Sequence, residues 1–139
     1  MTVKRVSPEE ALDLMQGEGY AYLDVRSVPE FVHGHPAGAY NVPLIHMGPA
    51  GSQPNARFLE VVQKRFPKDA GLVVGCKTNG RATQAAALLE QAGFGNLRIQ
   101  QAGFVGSSPM DPGWGPKGLP QSETPEPGRS WDELASDSE

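Results

Sequence analysis

Apolar residues recur along this chain with two alternating periods, and the places where the period changes divide it into short elements. Residues 3–6 predict a first strand. Ser7-Pro8-Glu9-Glu10 reads as a helix start, with Ser7 as cap, Pro8 at the first helical position and Glu10 closing a capping box. Ala11, Leu12, Leu14 and Met15 give that helix an apolar face, and residues 17–19, with two glycines, stop it. Residues 20–25 read as a buried strand ending at the polar Asp24 and Arg26. A short helical turn over 28–32, a bend over 34–38 and a strand over 39–42 follow, closed by Pro43. Residues 46–54, rich in Gly and Pro, read as a loop. Phe58, Val61, Val62 and Phe66 recur at helical spacing within 55–66, and 72–75 reads as a strand. Over 81–91, Ala82, Ala85, Ala86 and Leu89 place small side chains on one helix face; Gly93 caps it, and 96–100 supplies a last strand. Strands alternating with helices predict an α/β fold, an open sheet of about five mostly parallel strands with helices on both faces.

Composition changes this outline only at one end. Apolar residues make up 38% of the 139, which is low, and the deficit is local. Residues 107–139 hold six of the 13 prolines and seven acidic residues against two basic ones, so the body is left near neutral within a net charge of −4. Residues 121–139 are therefore expected to be a mobile, solvated acidic tail behind a single domain over 1–120. A near-neutral body argues against a broad nucleic-acid surface. No stretch has the apolar length of a membrane span, and no signal-peptide pattern opens the chain. One cysteine permits no internal disulfide, which fits a reducing, cytoplasm-like setting. A monomer is the expectation, since no long amphipathic surplus remains once the core is built.

The candidate chemistry lies at that one cysteine. Leu72-Val73-Val74-Gly75 is a short apolar run; Cys76 comes where it stops, and Lys77-Thr78-Asn79-Gly80-Arg81 leads at once into the Ala-rich helix. A lone cysteine is most often a small buried hydrophobe. A packed thiol, however, belongs inside the apolar run, whereas Cys76 follows Gly75 and precedes two cations. Helix N-termini and neighbouring cations favour thiolate over thiol, so the segment reads as a nucleophile set in an anion cradle. His33 and His35 have the spacing of a metal pair, but no third ligand is evident, and neither metal nor cofactor is expected. His46 reads as a surface residue, and Trp114 and Trp131 as packing and tail residues.

Several motifs together resemble the rhodanese (thiosulfate sulfurtransferase) family in its single-domain form. Asp24-Val25-Arg26, Glu30-Phe31, residues 34–39 (Gly-His-Pro-Ala-Gly-Ala) and Asn41-Val42-Pro43 are similar to its N-terminal signature. Cys76 to Arg81 is similar to its six-residue active-site loop, although Asn79 holds a place where such loops often carry Gly. Gly103, Trp114 and Gly118-Leu119-Pro120 are similar to its C-terminal pattern.

The resemblance implies a rhodanese-like sheet and transfer of a sulfane sulfur through a Cys76 persulfide. Cys76 would be the catalytic nucleophile, the loop Lys77, Thr78, Asn79, Gly80 and Arg81 would bind donor and persulfide, and Asp24 and Arg26 would support the loop or border the site. Partners would be a small sulfur donor and a thiophilic acceptor, with a protein donor or acceptor as a variant. Two rivals are weighed beside this. The domain could be a persulfide carrier or interaction module in a sulfur relay, with the acidic tail as docking element. A cysteine phosphatase or arsenate reductase also uses a Cys-to-Arg loop, but places five residues between the two, where this chain has four.

Overall fold

The computed structural model describes residues 3–49, 51–78 and 80–136. In chain order the elements are β1 (Lys4–Val6), α1 (Pro8–Glu18), β2 (Ala21–Asp24), α2 (Val28–Val32), β3 (His35–Pro36) and β4 (Tyr40–Asn41). Next come β5 (Ile45–Gly48), β6 (Gly51–Pro54), α3 (Phe58–Arg65), β7 (Gly71–Gly75), α4 (Gly80–Gln91) and β8 (Asn96–Gln100). The last are β9 (Gly106–Ser108), β10 (Asp111–Pro112), β11 (Gln121–Ser122) and α5 (Trp131–Ser136). Five strands form one sheet in the order β1-β8-β7-β2-β4, every pair parallel.

Alternation along the strands sends side chains to two cores. Leu23, Leu72, Val74, Leu97 and Ile99 face α3 and α4, against Phe58, Val61, Val62, Ala82, Ala85, Ala86 and Leu89. Tyr22 and Val73 face the other way, against Val6, Ala11, Phe31 and Trp114. Both faces are thus covered, which is why β7, the middle strand of the five, carries no polar side chain. The start of α1 is as its sequence predicts: Ser7 Oγ accepts the Glu10 N–H at 3.0 Å, Glu10 returns the bond to the Ser7 N–H, and Gly19 ends the helix at φ 73. Among the described residues no helix is long and apolar enough to cross a membrane.

Two segments differ from their sequence reading, and the structure adds a further hairpin. Residues 46–54 are not a bare loop: β5 and β6 pair antiparallel, from Ile45 opposite Pro54 to Gly48 opposite Gly51. All of β6 is exposed, so backbone pairing alone defines the hairpin and no hydrophobic alternation announces it. Residues 106–112 form a second small hairpin, β9–β10. The segment expected to be a mobile tail instead lies against the body. Strand β11 pairs with β3, Glu126 accepts the Gly38 N–H at 2.8 Å, and the Arg129 carbonyl accepts the Asn41 N–H at 2.9 Å. The Arg129 guanidinium donates to the Gly38 carbonyl and stands over the Tyr40 ring, and Leu134 in α5 is 3% exposed within the α3/α4 core. Few apolar side chains are needed for this docking, which is why composition suggests solvation. Residues 137–139 lie outside the described residues.

Candidate active site

Strand β7 is buried from Leu72 to Gly75, and Cys76 emerges at its carboxyl end facing the start of α4. In parallel sheets this is where strand ends and helix N-termini together leave a place for a ligand. Cys76 is a free thiol and only 2% exposed, packed at the edge of the α3/α4 core. Its Sγ accepts the Ala82 N–H at 3.3 Å, and the Thr78 and Arg81 amides also favour its charged form. Ala82, fully buried, brings its amide this close because it has almost no side chain to accommodate.

The expectation of a thiolate favoured at rest is corrected here. Burial pushes the Cys76 thiol up, and the Ala82, Thr78 and Arg81 amides with the Arg81 charge offset this only in part. Much of Arg81 is committed elsewhere. Its guanidinium donates twice to Glu30, at 2.7 and 3.1 Å. Glu30 also accepts from the Ser27 N–H and hydroxyl, at 3.0 and 2.9 Å. Burial works to raise the Glu30 carboxyl, but these bonds outweigh it and hold the group at about 2. Lys77 and Thr78 have exposed side chains on the outer side of the loop, Gly80 opens α4, and Asn79 lies outside the described residues.

Asp24 and Arg26 are buried beside the loop and paired with each other through three carboxylate–guanidinium contacts, the shortest 2.8 Å. Arg26 Nη2 also donates to the Gly34 carbonyl at 2.7 Å, and its guanidinium lies 4.5 Å from the Phe104 ring centre. Phe104 donates its N–H to the Cys76 carbonyl at 2.8 Å, so the pair bears on the loop through Phe104 and the 24–34 turn. Asn41 adds side-chain bonds to the Asp24 and Arg26 carbonyls, at 3.1 and 3.0 Å.

The two histidines do not converge. His35 is buried, stacked on Phe31 at 3.7 Å, with Nδ1 near the Phe31 carbonyl and Nε2 near Glu126, while His33 is exposed. No cluster of three metal-capable side chains occurs among the described residues. Trp114 is fully buried and donates its indole N–H to the Pro120 carbonyl at 2.7 Å. His46 and Trp131 rings meet at 5.4 Å. Sequence reasoning passes over two residues that shape the site. A Cβ on Gly75 would lie 1.9 Å from the Tyr22 hydroxyl, and Gln100 is fully buried below the loop. Neither carries a clear sequence signal, since Gln100 ends a strand that already holds Asn96 and Arg98, and Gly75 has no side chain.

Comparison with known proteins now bears on this geometry. The family model of the rhodanese-like domain matches residues 7–108. The chain is 37% identical over 115 residues to thiosulfate sulfurtransferase 16, chloroplastic, of Arabidopsis thaliana, spanning 83% of this chain and 89% of that protein. It is 37% identical over 87 residues to senescence-associated protein DIN1 of Raphanus sativus, 63% of this chain but only about half of that relative, at 48%. The crystal structure of Rv0390 from M. tuberculosis superposes with a TM-score of 0.74 at 22% identity, covering 89% of this chain and 100% of that one, a likeness of fold. The chain belongs to the rhodanese-like domain family.

Proposed function

We propose that this member of the rhodanese-like family is a sulfurtransferase that carries a sulfane sulfur on Cys76, taking it from thiosulfate or a persulfide donor and passing it to cyanide or a thiol. The observation that carries this reading is the Sγ of Cys76 accepting the Ala82 N–H at 3.3 Å, at the end of a loop whose Thr78 and Arg81 amides and Arg81 charge favour the charged sulfur. The Cys76 thiolate attacks the outer sulfur of thiosulfate, forming a new S–S bond while the S–S bond of the donor breaks and sulfite leaves with its electron pair. The product is a persulfide anion, Cys76–S–S⁻. Cyanide then attacks the terminal sulfur, thiocyanate departs, and the thiolate is restored; a thiol acceptor leaves as its own persulfide. Each half-reaction moves one sulfur and one electron pair, the double-displacement pattern of covalent catalysis. The amides supply fixed dipoles where the persulfide charge develops, and Lys77 draws the dianionic donor in.

A phosphate-transferring reading fits less well. Only four residues separate Cys76 from Arg81, and the Arg81 guanidinium is spent on Glu30 rather than turned to an oxyanion. A persulfide carrier fed by a protein donor is the second reading, favoured by the burial that keeps the resting thiol protonated and slows attack on a small donor. Intact-mass measurement after thiosulfate, then after cyanide, beside a Cys76→Ser control, separates them. A gain of one sulfur on the wild type alone, lost with release of thiocyanate, supports the enzyme. Loading only from a protein persulfide supports the carrier, and turnover of an aryl phosphate without thiosulfate activity sinks both.

A further inference from the structure

Beneath the Cys76 loop lies a buried polar chain that the reaction above leaves unused. Gln100, ending β8, is fully buried. Its Nε2 donates to the Gly103 carbonyl at 2.8 Å and to the Tyr22 hydroxyl at 3.2 Å, while its Oε1 accepts the Gly103 N–H at 2.9 Å. Tyr22 is itself buried, edge-on to Trp114 at 5.4 Å, and its hydroxyl fills the space a side chain on Gly75 would take. A buried amide and hydroxyl are expensive to desolvate, and apolar side chains would fill the same volume without that cost. What the Gln100 amide adds is direction, because it holds both the N–H and the C=O of Gly103, the carbonyl jointly with the Trp114 N–H at 2.9 Å.

Gly103 sits directly against the loop. Its φ is 74°, and a Cβ there would lie 2.3 Å from the Thr78 carbonyl and 2.5 Å from that of Lys77, so only glycine fits. The next two amides donate to the loop: Phe104 to the Cys76 carbonyl at 2.8 Å and Val105 to the Lys77 carbonyl at 3.0 Å. A trans peptide holds its C=O and N–H on opposite sides. Tying the Cys76 and Lys77 carbonyls outward on residues 104 and 105 therefore turns the Lys77 and Thr78 N–H groups the other way. The Thr78 amide is among the groups that favour the charged form of the sulfur.

We propose that Gln100, braced by the Tyr22 hydroxyl, is a positioning residue that aims the amides of the Cys76 loop at the sulfur. The inference concerns the state of the Cys76 thiol itself; its kinetic consequence rests on the sulfurtransferase reading. Because Cys76 is the only cysteine, its ultraviolet thiolate absorbance can be followed against pH, with Cys76→Ser as blank. Gln100→Leu keeps similar bulk and removes all three side-chain bonds. The expected result is a titration moved to higher pH, with about fivefold less thiolate at neutral pH, the effect of one weakened hydrogen bond to a charged sulfur. Turnover with thiosulfate falls by a similar factor at neutral pH and recovers under alkaline conditions. Tyr22→Phe, which leaves the ring packing in place, moves the titration the same way by about twofold. A folded Gln100→Leu protein with a lower Tm but an unmoved titration overturns the proposal. Should that variant not fold, Tyr22→Phe decides, and an unmoved midpoint again overturns it. The titration is read on the thiol directly, so a wild-type protein inert to thiosulfate counts against the sulfurtransferase and not against this positioning role.

Discussion

At Cys76 two influences oppose each other: burial favours the neutral thiol, while the Ala82, Thr78 and Arg81 amides and the Arg81 charge favour the thiolate, and burial prevails. Since the thiolate is the nucleophile, the rate with thiosulfate is expected to climb from neutral pH through the raised thiol midpoint. A profile flat above neutrality would contradict this. The same group contributes to folding with the opposite sign. Its folded form keeps the proton longer than the unfolded chain, so that stability is full below the ordinary thiol range and lost as pH rises through the folded value. Glu30 behaves in reverse. Held at about 2 against an ordinary 4.5, it contributes stability fully above 4.5, lost as pH falls towards about 2. Glu30→Gln should flatten the acid limb of Tm against pH and cost about 1–2 kcal/mol near neutrality. Lys77 is exposed on the loop. Lys77→Ala should lower kcat/KM for thiosulfate about tenfold with Tm unchanged, the loss of one charge aimed at the donor; a fall in Tm instead would make Lys77 a structural residue. The cysteine and its cations are legible in the sequence because they sit within six consecutive residues. That Glu30 meets a cation can be expected from the sequence, but that the cation is Arg81 cannot, because 51 positions separate the two and only the fold joins them.

Among the elements, α1, α4 and the central strands could be read because their apolar residues obey one period and their ends carry chemical signals, as Ser7, Glu10 and Gly19 do in α1. The β5–β6 and β9–β10 hairpins could not, since backbone pairing holds them with little burial. The same reason hides the docking of residues 121–136, which depends on isolated anchors: Glu126 on His35 and Gly38, Arg129 on Tyr40, and Leu134 in the core. Leu134→Ala is expected to cost about 2–3 kcal/mol, the range for emptying a buried leucine site, read as a lower urea midpoint. Met110→Ala, at a side chain 92% exposed, should leave that midpoint in place. Equal midpoints for both variants would restore the solvated tail that composition suggests.

For the molecule as a whole, the alternation of strands and helices was enough to anticipate the parallel sheet, because right-handed crossovers leave few ways to arrange such units. It also points to the carboxyl ends of the strands as the candidate site, where β2 delivers Asp24 and β7 leads to Cys76. Strand order was beyond it, since β1 joins the sheet beside β8, the last strand of the five in sequence. One feature of this arrangement reaches past the single molecule. Strand β4 is the sheet's last, two residues long, and its outward Asn41 N–H is taken up by the Arg129 carbonyl. Left bare, an edge of this kind is a template for another chain. Residues 121–136 cover this edge and are expected to limit edge-to-edge growth. A chain ending at Pro120 is expected to scatter light increasingly with concentration, while the full-length protein stays clear.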